Sequence, residues 1–208
     1  MPNDGHAFWE RTAGRYDLSM ALLGGPLGPM CERVARSVRG RERVLELAAG
    51  TGLVTRAIAP EVGQLLATDY SEAMVAKLRE RAAGDGLENV SVEVLDVFEL
   101  DDPEGFDAIV AANVLHLLPD INAALDRIQR ALKPGGLLVV PTYCHAQNMF
   151  SRSVSGVMGL VGFPGQRRLT LDSLESLVAE REFLIKEREL LSGLLPIGYV
   201  EATRLLDK

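Results

Sequence analysis

The segment Arg43–Pro60, RVLELAAGTGLVTRAIAP, decides the fold of this chain. It begins with a short apolar run that predicts a buried strand, passes through Gly50 and Gly52, and continues into residues that favour a helix. Glycines after a parallel strand let the backbone turn sharply and approach a ligand closely. The helix that follows points the positive end of its dipole at that ligand. The segment therefore predicts a nucleotide-binding loop.

The spacing of the glycines narrows the choice of nucleotide. A dinucleotide fingerprint needs a third glycine three residues after Gly52, where this chain has Thr55. A phosphate-binding loop of the Walker type needs Gly-Lys-Ser/Thr, which is absent from the segment. Taken alone, the loop also fits a plain tight turn between a strand and a helix. Its function has to be judged together with the residues that follow.

Two acids come directly after the next two apolar runs of the chain. Asp69 ends the second predicted strand and Asp96 ends the third. In a doubly wound sheet, an acid at the end of the second strand accepts hydrogen bonds from ribose hydroxyls. Asp96 could accept from an exocyclic adenine amine, while the amide of Val97 donates to a ring nitrogen. The alternative for each aspartate is an ordinary helix cap or a solvated loop acid.

Strand-like and helix-like runs alternate along the chain, which predicts an α/β fold with a parallel sheet covered on both faces. The loop between the last two strands is too short for a parallel crossover, so these strands should form an antiparallel pair. We therefore predict a doubly wound, Rossmann-like sheet of seven strands, mostly parallel with an antiparallel last strand, and helices on both faces. The predicted strands are Arg43–Leu47, Leu65–Thr68, Val90–Leu95, Phe106–Ala111, Leu137–Val140, Phe183–Leu191 and Ile197–Thr203, with KPGG as a turn before the fifth.

The length of 208 residues suits one domain, with four parts expected. Residues 1–42 should form a helical lid with a break between two helices at Gly24–Pro29, and residues 43–142 the cofactor-binding core. Residues 143–170 are markedly apolar and should cover the substrate, which favours a hydrophobic acceptor. Ordinary packing of that segment against the sheet is the alternative. Residues 171–208 supply the last helix and the antiparallel pair.

Composition limits the classes of partner and the compartment. The net charge of -7 weakens the case for nucleic-acid binding. Two distant cysteines and three histidines form no zinc-ligand spacing, so no metal is expected. The start of the sequence has no signal-peptide pattern, and no apolar run approaches the ~20 residues of a spanning helix. We expect a cytoplasmic protein without stable membrane insertion; the sequence leaves the oligomeric state open.

Five segments in order, VLELAAGTG, ATDYSEAM, VLDVFEL, FDAIVAANVLHLLPD and LKPGGLLVV, resemble the class I S-adenosylmethionine-dependent methyltransferases. The resemblance is strong over residues 43–140. The subgroup that looks most similar contains the small-molecule enzymes of the ubiquinone/menaquinone-biosynthesis type, for which RYD at Arg15–Asp17 is typical. Ala48-Ala49 stands where the family often has Gly-Cys or Gly-Ala, a small change. The resemblance implies S-adenosyl-L-methionine as the cofactor, S-adenosyl-L-homocysteine as the product and a small-molecule methyl acceptor.

The resemblance also implies roles for individual residues. The methionine end of the cofactor would be surrounded by residues of the glycine loop, the fourth strand and the lid, and the adenosine by residues that follow the second and third strands. In chain order, the cofactor-binding residues implied are Tyr16, Glu46, Ala48, Gly50, Gly52, Asp69, Tyr70, Met74, Asp96, Val97 and Asn113.

A base is needed if the acceptor is a hydroxyl, an ammonium or an acidic C–H group. His116 follows the fourth strand and His145 the fifth, so both are candidate catalytic residues, while His6 lies near the start of the chain. Packing or surface exposure is the alternative for each histidine. Tyr143 could orient a substrate, and Cys144 is expected to be a small apolar filler.

Competing functions differ in what the loop would hold. A nicotinamide-dependent oxidoreductase is disfavoured by the missing third glycine, and an aminopropyl transferase by the absence of an acid-rich substrate motif. A non-catalytic module that binds S-adenosylmethionine would keep the same loop. Nucleic-acid methylation is disfavoured because NVLH stands where an Asp/Asn-Pro-Pro-aromatic motif is expected. The leading prediction is methyl transfer to a small, hydrophobic acceptor.

Overall fold

The structure, a computed structural model, describes residues 26–147, 169–193 and 195–206. Its strands are β1 (Arg43–Leu47), β2 (Gln64–Asp69), β3 (Val90–Val94), β4 (Phe106–Ala111), β5 (Leu132–Tyr143), β6 (Phe183–Leu191) and β7 (Ile197–Arg204). Its helices are α1 (Leu27–Val38), α2 (Leu53–Ile58), α3 (Glu72–Gly84), α4 (Ile121–Ala131) and α5 (Leu171–Ala179). Short 3₁₀ turns lie at Ala59–Glu61, Val97–Glu99 and Leu115–Leu117.

The seven strands form one sheet in the order β3-β2-β1-β4-β5-β7-β6. Strands β1 to β5 pair in parallel, whereas β7 is antiparallel to both β5 and β6. The predicted fold class is therefore confirmed. Because the parallel strands share a direction, their carboxyl ends meet at one edge of the sheet, where ligands bind in open α/β folds.

Alternate residues of the central strands enter two separate hydrophobic cores. In β1, Leu45 packs with α4 and α5 on one face, and Val44 packs with α1 and α2 on the other. In β4, Ile109 and Ala108 divide in the same way. Side chains of a strand point alternately to opposite faces, so a strand that is apolar throughout needs helices on both sides. The central strands are therefore held rigidly from both faces.

The third strand departs from the expectation that the first five strands are buried. Strand β3 lies at the edge of the sheet, and most of its residues are exposed or half-buried, with Val94 48% exposed. Its alternating sequence VSVEV fits one covered face and one wet face.

The fifth strand begins earlier than predicted. It starts at Leu132, which pairs with Phe106, and the pairing then shifts so that Leu137 lies beside Ala108. The predicted turn KPGG therefore lies within the strand as an irregularity, with Gly135 at φ 75°. Only glycine adopts this backbone conformation without strain, which explains how the chain leaves the ladder and rejoins it.

The predicted helix break at Gly24–Pro29 is wrong at its carboxyl side. Helix α1 begins at Leu27, so Pro29 lies in its first turn. Proline is tolerated there because the first N–H groups of a helix have no partner within it. Residues 1–25 and 148–168, which carry most of the predicted lid and substrate cover, lie outside the described residues.

Candidate active site

The loop after β1 has a backbone that few side chains could adopt. Ala48, Gly50 and Gly52 have φ angles of 53°, 57° and 93°. A Cβ atom at Gly52 would lie 2.6 Å from Cδ1 of Leu78, which is closer than carbon atoms approach. The left-handed conformation therefore favours glycine at position 52, and a Cβ there would force the Leu78 side chain to shift. Ala49 N–H donates to the carbonyl of Thr68 at 2.8 Å, which fastens the loop to β2.

Asp69 at the end of β2 supports the same loop. Its Oδ2 accepts from Gly50 N–H at 2.9 Å, and its Oδ1 accepts from Ser71 N–H at 3.0 Å. The carboxyl group is nearly buried, so these backbone donors satisfy charge that would otherwise be costly. Each carboxylate oxygen has a second lone pair, which leaves Asp69 able to accept from a ligand hydroxyl as well.

Glu46, one residue before the end of β1, is buried under the loop with 1% of its surface exposed. Its Oε2 accepts from the hydroxyl of Thr55 in α2 at 2.6 Å. The pKa of Glu46 is raised to about 8, mainly by burial and in part by the nearby charge of Asp69, while the hydrogen bond from Thr55 opposes the shift. The loop thus rests on two acidic residues, an arrangement that fits a ligand carrying positive charge.

Asp96 after β3 caps its own 3₁₀ turn. Its Oδ1 accepts from Phe98 N–H at 3.0 Å, and the residue is exposed. Val97 is half-buried in the first position of the turn. The carboxylate keeps one oxygen outside this cap, so both the capping role and a contact to a ligand amine are compatible with the geometry.

Asn113 after β4 has a left-handed backbone, with φ 54°. Its N–H donates to Pro141 at the end of β5 at 2.7 Å, and its Nδ2 lies 3.6 Å from the sulfur of Met30. Among the described residues, the buried Oδ1 atom has no hydrogen-bond partner. A strained backbone and an unsatisfied amide oxygen at a strand end are the features expected where a ligand binds.

Three ring side chains gather beside Asn113. The ring centroids of His116 and His145 lie 5.3 Å apart, and the ring of Tyr143 lies 6.2 Å from His116 and 6.0 Å from His145. All three residues are buried. The structure therefore brings the two predicted catalytic histidines together at the carboxyl ends of β4 and β5. We call His116, Tyr143 and His145 the ring cluster.

His116 is neutral in this environment. Its pKa is lowered to about 3, mainly by burial and in part by the neighbouring His145. Within the described part of the chain, the buried His116 Nδ1 and Thr142 Oγ1 atoms lack hydrogen-bond partners. Unsatisfied polar atoms in a buried site cost free energy unless a ligand or water satisfies them. The cluster is thus suited to an acceptor that carries a polar group.

The remaining predicted residues are placed as follows. Tyr70 is half-buried directly after Asp69, and Met74 is 2% exposed in the first turn of α3. Tyr16 lies outside the described residues.

Two residues of the site, Thr55 and Thr142, were not predicted from the sequence. A threonine in the apolar run LLVVPTY was a signal for Thr142, whereas the contact between Thr55 and Glu46 depends on the packing of α2 against β1.

The described residues contain neither a candidate metal site nor a candidate membrane span. No group of three His, Cys, Asp or Glu side chains there could hold a metal ion. No helix in the same ranges is long and apolar enough to span a bilayer.

Comparisons with known proteins identify the family of the chain. A family model described as a methyltransferase domain matches residues 45–138. The chain is 30% identical over 178 residues to the ubiquinone/menaquinone biosynthesis C-methyltransferase UbiE of Methylococcus capsulatus, covering 82% of this chain and 72% of that protein. It is 33% identical over 144 residues to the demethylmenaquinone methyltransferase of Clavibacter sepedonicus, covering 67% of this chain and 58% of that protein.

The fold has solved relatives as well. The N-methyltransferase NodS from Bradyrhizobium japonicum, in complex with S-adenosyl-l-homocysteine, superposes with a TM-score of 0.69 at 19% identity, over 86% of this chain and 88% of that chain. The findings do not favour the alternatives of a nicotinamide-dependent oxidoreductase or a non-catalytic binding module. The chain belongs to the class I S-adenosylmethionine-dependent methyltransferases and is an enzyme that uses S-adenosyl-L-methionine.

Proposed function

We infer that this enzyme methylates a carbon atom of a small, largely apolar acceptor that carries an acidic O–H or C–H group, such as a quinol or phenol. The observation that carries the inference is the buried ring cluster at the carboxyl ends of β4 and β5, one strand away from the glycine loop. The C-methyltransferase named among the relatives supports a carbon acceptor.

The cofactor supplies a methyl group that is electrophilic because it is attached to a sulfonium. The chain has to hold the acceptor in line, exclude water and accept a proton where the acceptor is acidic. In this proposal, Glu46, Ala48, Gly50, Gly52 and Asn113 surround the methionine end, and Asp69, Tyr70, Met74, Asp96 and Val97 surround the adenosine.

The low pKa of His116 constrains the acceptor. A neutral buried imidazole has little tendency to take a proton from a neutral molecule at pH 7. Negative charge that develops on an acceptor beside the ring would raise the pKa of His116, because opposite charges interact strongly in a site without water. The proposal therefore requires an acceptor that is already acidic, and it assigns the proton to His116 with His145 packed against the base.

The acceptor itself is expected to be uncharged when it binds. The ring cluster is buried at strand ends whose other buried residues are mostly apolar, so an ion would lose its hydration there. The apolar segment 148–168, which lies outside the described residues, is predicted to complete this cover.

A cytoplasmic location stays a prediction, consistent with the free, buried Cys31 and Cys144 and tested by cell fractionation.

The test is an activity screen with quinols, phenols and 1,3-dicarbonyl compounds, each paired with its O-methyl ether. Deuterium-labelled methyl groups on the cofactor and mass or NMR analysis locate the transferred methyl on carbon, oxygen or nitrogen. We expect carbon products from the parent compounds and none from the ethers. His116→Asn should lower kcat by about 10²–10⁴-fold while the Kd for S-adenosylhomocysteine stays unchanged.

A second variant tests the role of the ring cluster at a different residue. His145→Asn should lower kcat less than His116→Asn, because it leaves the proton-accepting ring in place. A product methylated on oxygen or nitrogen would contradict the carbon assignment. Full kcat in a folded His116→Asn enzyme would contradict the role of the ring cluster.

A further inference from the structure

Glu46 is an acid in a place where a negative charge is poorly balanced. Its carboxyl group is shielded from water, and its hydrogen-bond donor is the uncharged hydroxyl of Thr55. No cationic side chain of the described residues contacts the carboxyl group. Removing a carboxylate from water is costly unless an opposite charge is supplied. At neutral pH the group therefore carries a proton when nothing positive is near.

The groups around Glu46 come from four elements. Asp69 on β2 is acidic and adds to the cost of a second negative charge. Cys31 on α1 interacts with Glu46, but burial raises the pKa of its thiol to about 11, so it is neutral. Thr55 on α2 and Val110 on β4 carry no charge. Among the described residues, none of these neighbours supplies positive charge, so a balancing charge has to come from a ligand.

We propose that Glu46 is a specificity-determining residue that distinguishes the cationic cofactor from its product by charge. In the free protein Glu46 holds a proton. When the glycine loop holds a molecule with a sulfonium, Glu46 gives this proton to solvent and its carboxylate stabilises the added positive charge. The product, S-adenosylhomocysteine, has an uncharged sulfur. Its binding therefore releases a smaller fraction of the Glu46 proton, and the carboxylate stabilises it less.

This coupling fixes the sign of a pH dependence. Binding that releases a proton becomes stronger as pH rises, as long as the free protein holds that proton. The pKa of about 8 for Glu46 places the upper end of this window near pH 8. The preference for S-adenosylmethionine over S-adenosylhomocysteine should therefore increase from pH 6 to pH 8, by at most about tenfold per pH unit.

Isothermal titration calorimetry in buffers of different ionisation enthalpy measures the released proton directly. We expect the whole protein at pH 7 to release about one proton more with S-adenosylmethionine than Glu46→Gln does, and distinctly fewer with S-adenosylhomocysteine. Glutamine mimics the protonated acid and can still accept from Thr55. Ionisation of the ligand itself is common to both proteins, so the difference isolates Glu46.

Cys31→Ser is the matched control, because it removes the titratable group of α1 that interacts electrostatically with Glu46 and should leave proton release unchanged. If Glu46→Gln does not fold, infrared difference spectra of the wild-type protein should show loss of a protonated carboxyl band on binding S-adenosylmethionine. Equal proton release with both ligands, or no loss of that band, would overturn the proposal. The inference rests on the cofactor alone, and since no acceptor is present in these measurements, a wrong acceptor class leaves their outcome unaffected.

Discussion

Single residues at the carboxyl edge of the sheet bind the backbone of nearby loops: Asp69 supports the glycine loop, and Asp96 caps its own turn. Asp69 binds the N–H groups of Gly50 and Ser71, and Asp96 binds that of Phe98. The strand-end position of both acids could be predicted from sequence. Their backbone partners could not, because the partners depend on how each loop folds back. The observed backbone contacts and the predicted ligand role are therefore compatible in one side chain.

At the same scale, neutral His116 should make the protein sensitive to acid. Its pKa is about 3 in the folded state and about 6.5 when unfolded, so below pH 6.5 the unfolded chain takes up a proton that the folded chain refuses. The free energy of unfolding should therefore fall as pH drops from 6.5 towards 3, by up to about 1.4 kcal/mol per unit from this residue. Denaturant titrations of wild type and His116→Asn between pH 7 and 4.5 measure the free energy of unfolding as a function of pH. The same pH dependence in both proteins would contradict the prediction.

Among the elements, prediction and structure agree on the bounds of the buried central strands β1 and β4 and of the largely exposed edge strand β6. Central strands β1 and β4 were predicted at their observed bounds because they are apolar on both faces. Strand β5 was predicted too short, because a glycine-rich irregularity in a ladder has the same composition as a turn. The edge position of β3 depends on the order of strands in space, which local patterns do not encode.

The junction of β1, the glycine loop, α2 and α3 should be sensitive to one methyl group. Gly52→Ala places a Cβ against Leu78 and requires a left-handed backbone, so we expect a loss of about 2–4 kcal/mol in the free energy of unfolding. Leu78→Ala alone also destabilises by leaving a cavity. The double variant should lose less than the sum of the two, because the clash is gone.

Gly28 in α1 is the matched control for this junction. It has open space where a Cβ would lie, so Gly28→Ala should be neutral or stabilising by about 0.5–1 kcal/mol. Chemical denaturation of the four variants measures all of these values. Strict additivity of Gly52→Ala and Leu78→Ala would refute the steric argument.

Across the whole molecule, the two ends of the parallel strands have separate tasks. The carboxyl ends carry the loop, the acids and the ring cluster, with strained backbone and unsatisfied atoms. The amino ends carry ion pairs that join strands and loops: Arg43 with Asp102, and Lys133 with Asp107. The predicted ligand-binding groups thus lie at one end and these ion pairs at the other, which should make stability and cofactor binding separable.

Arg43 tests this separation. Its guanidinium donates to both carboxylate oxygens of Asp102 at 2.9 and 2.8 Å and to the carbonyl of Gly105 at 2.8 Å, and it lies 4.3 Å from the ring centroid of Phe106. Bidentate, partly buried pairs of this kind stabilise more than exposed ones, so Arg43→Ala should lower the free energy of unfolding by about 1–3 kcal/mol. Its Kd for S-adenosylhomocysteine should stay that of the wild type.

Two further variants complete this experiment. One changes the carboxyl edge of the sheet, and the other breaks an exposed ion pair as a control. Asp69→Ala should weaken cofactor binding by at least about tenfold, because it removes the acceptor beside the glycine loop. Arg39→Ala breaks the exposed pair with Glu61 and should change stability less than Arg43→Ala. Calorimetric titration and denaturant unfolding on the three variants give both quantities. A loss of cofactor affinity in Arg43→Ala in proportion to its loss of stability would contradict the separation. It would mean that a destabilised amino end changes the geometry of the cofactor site through the strands that join the two ends.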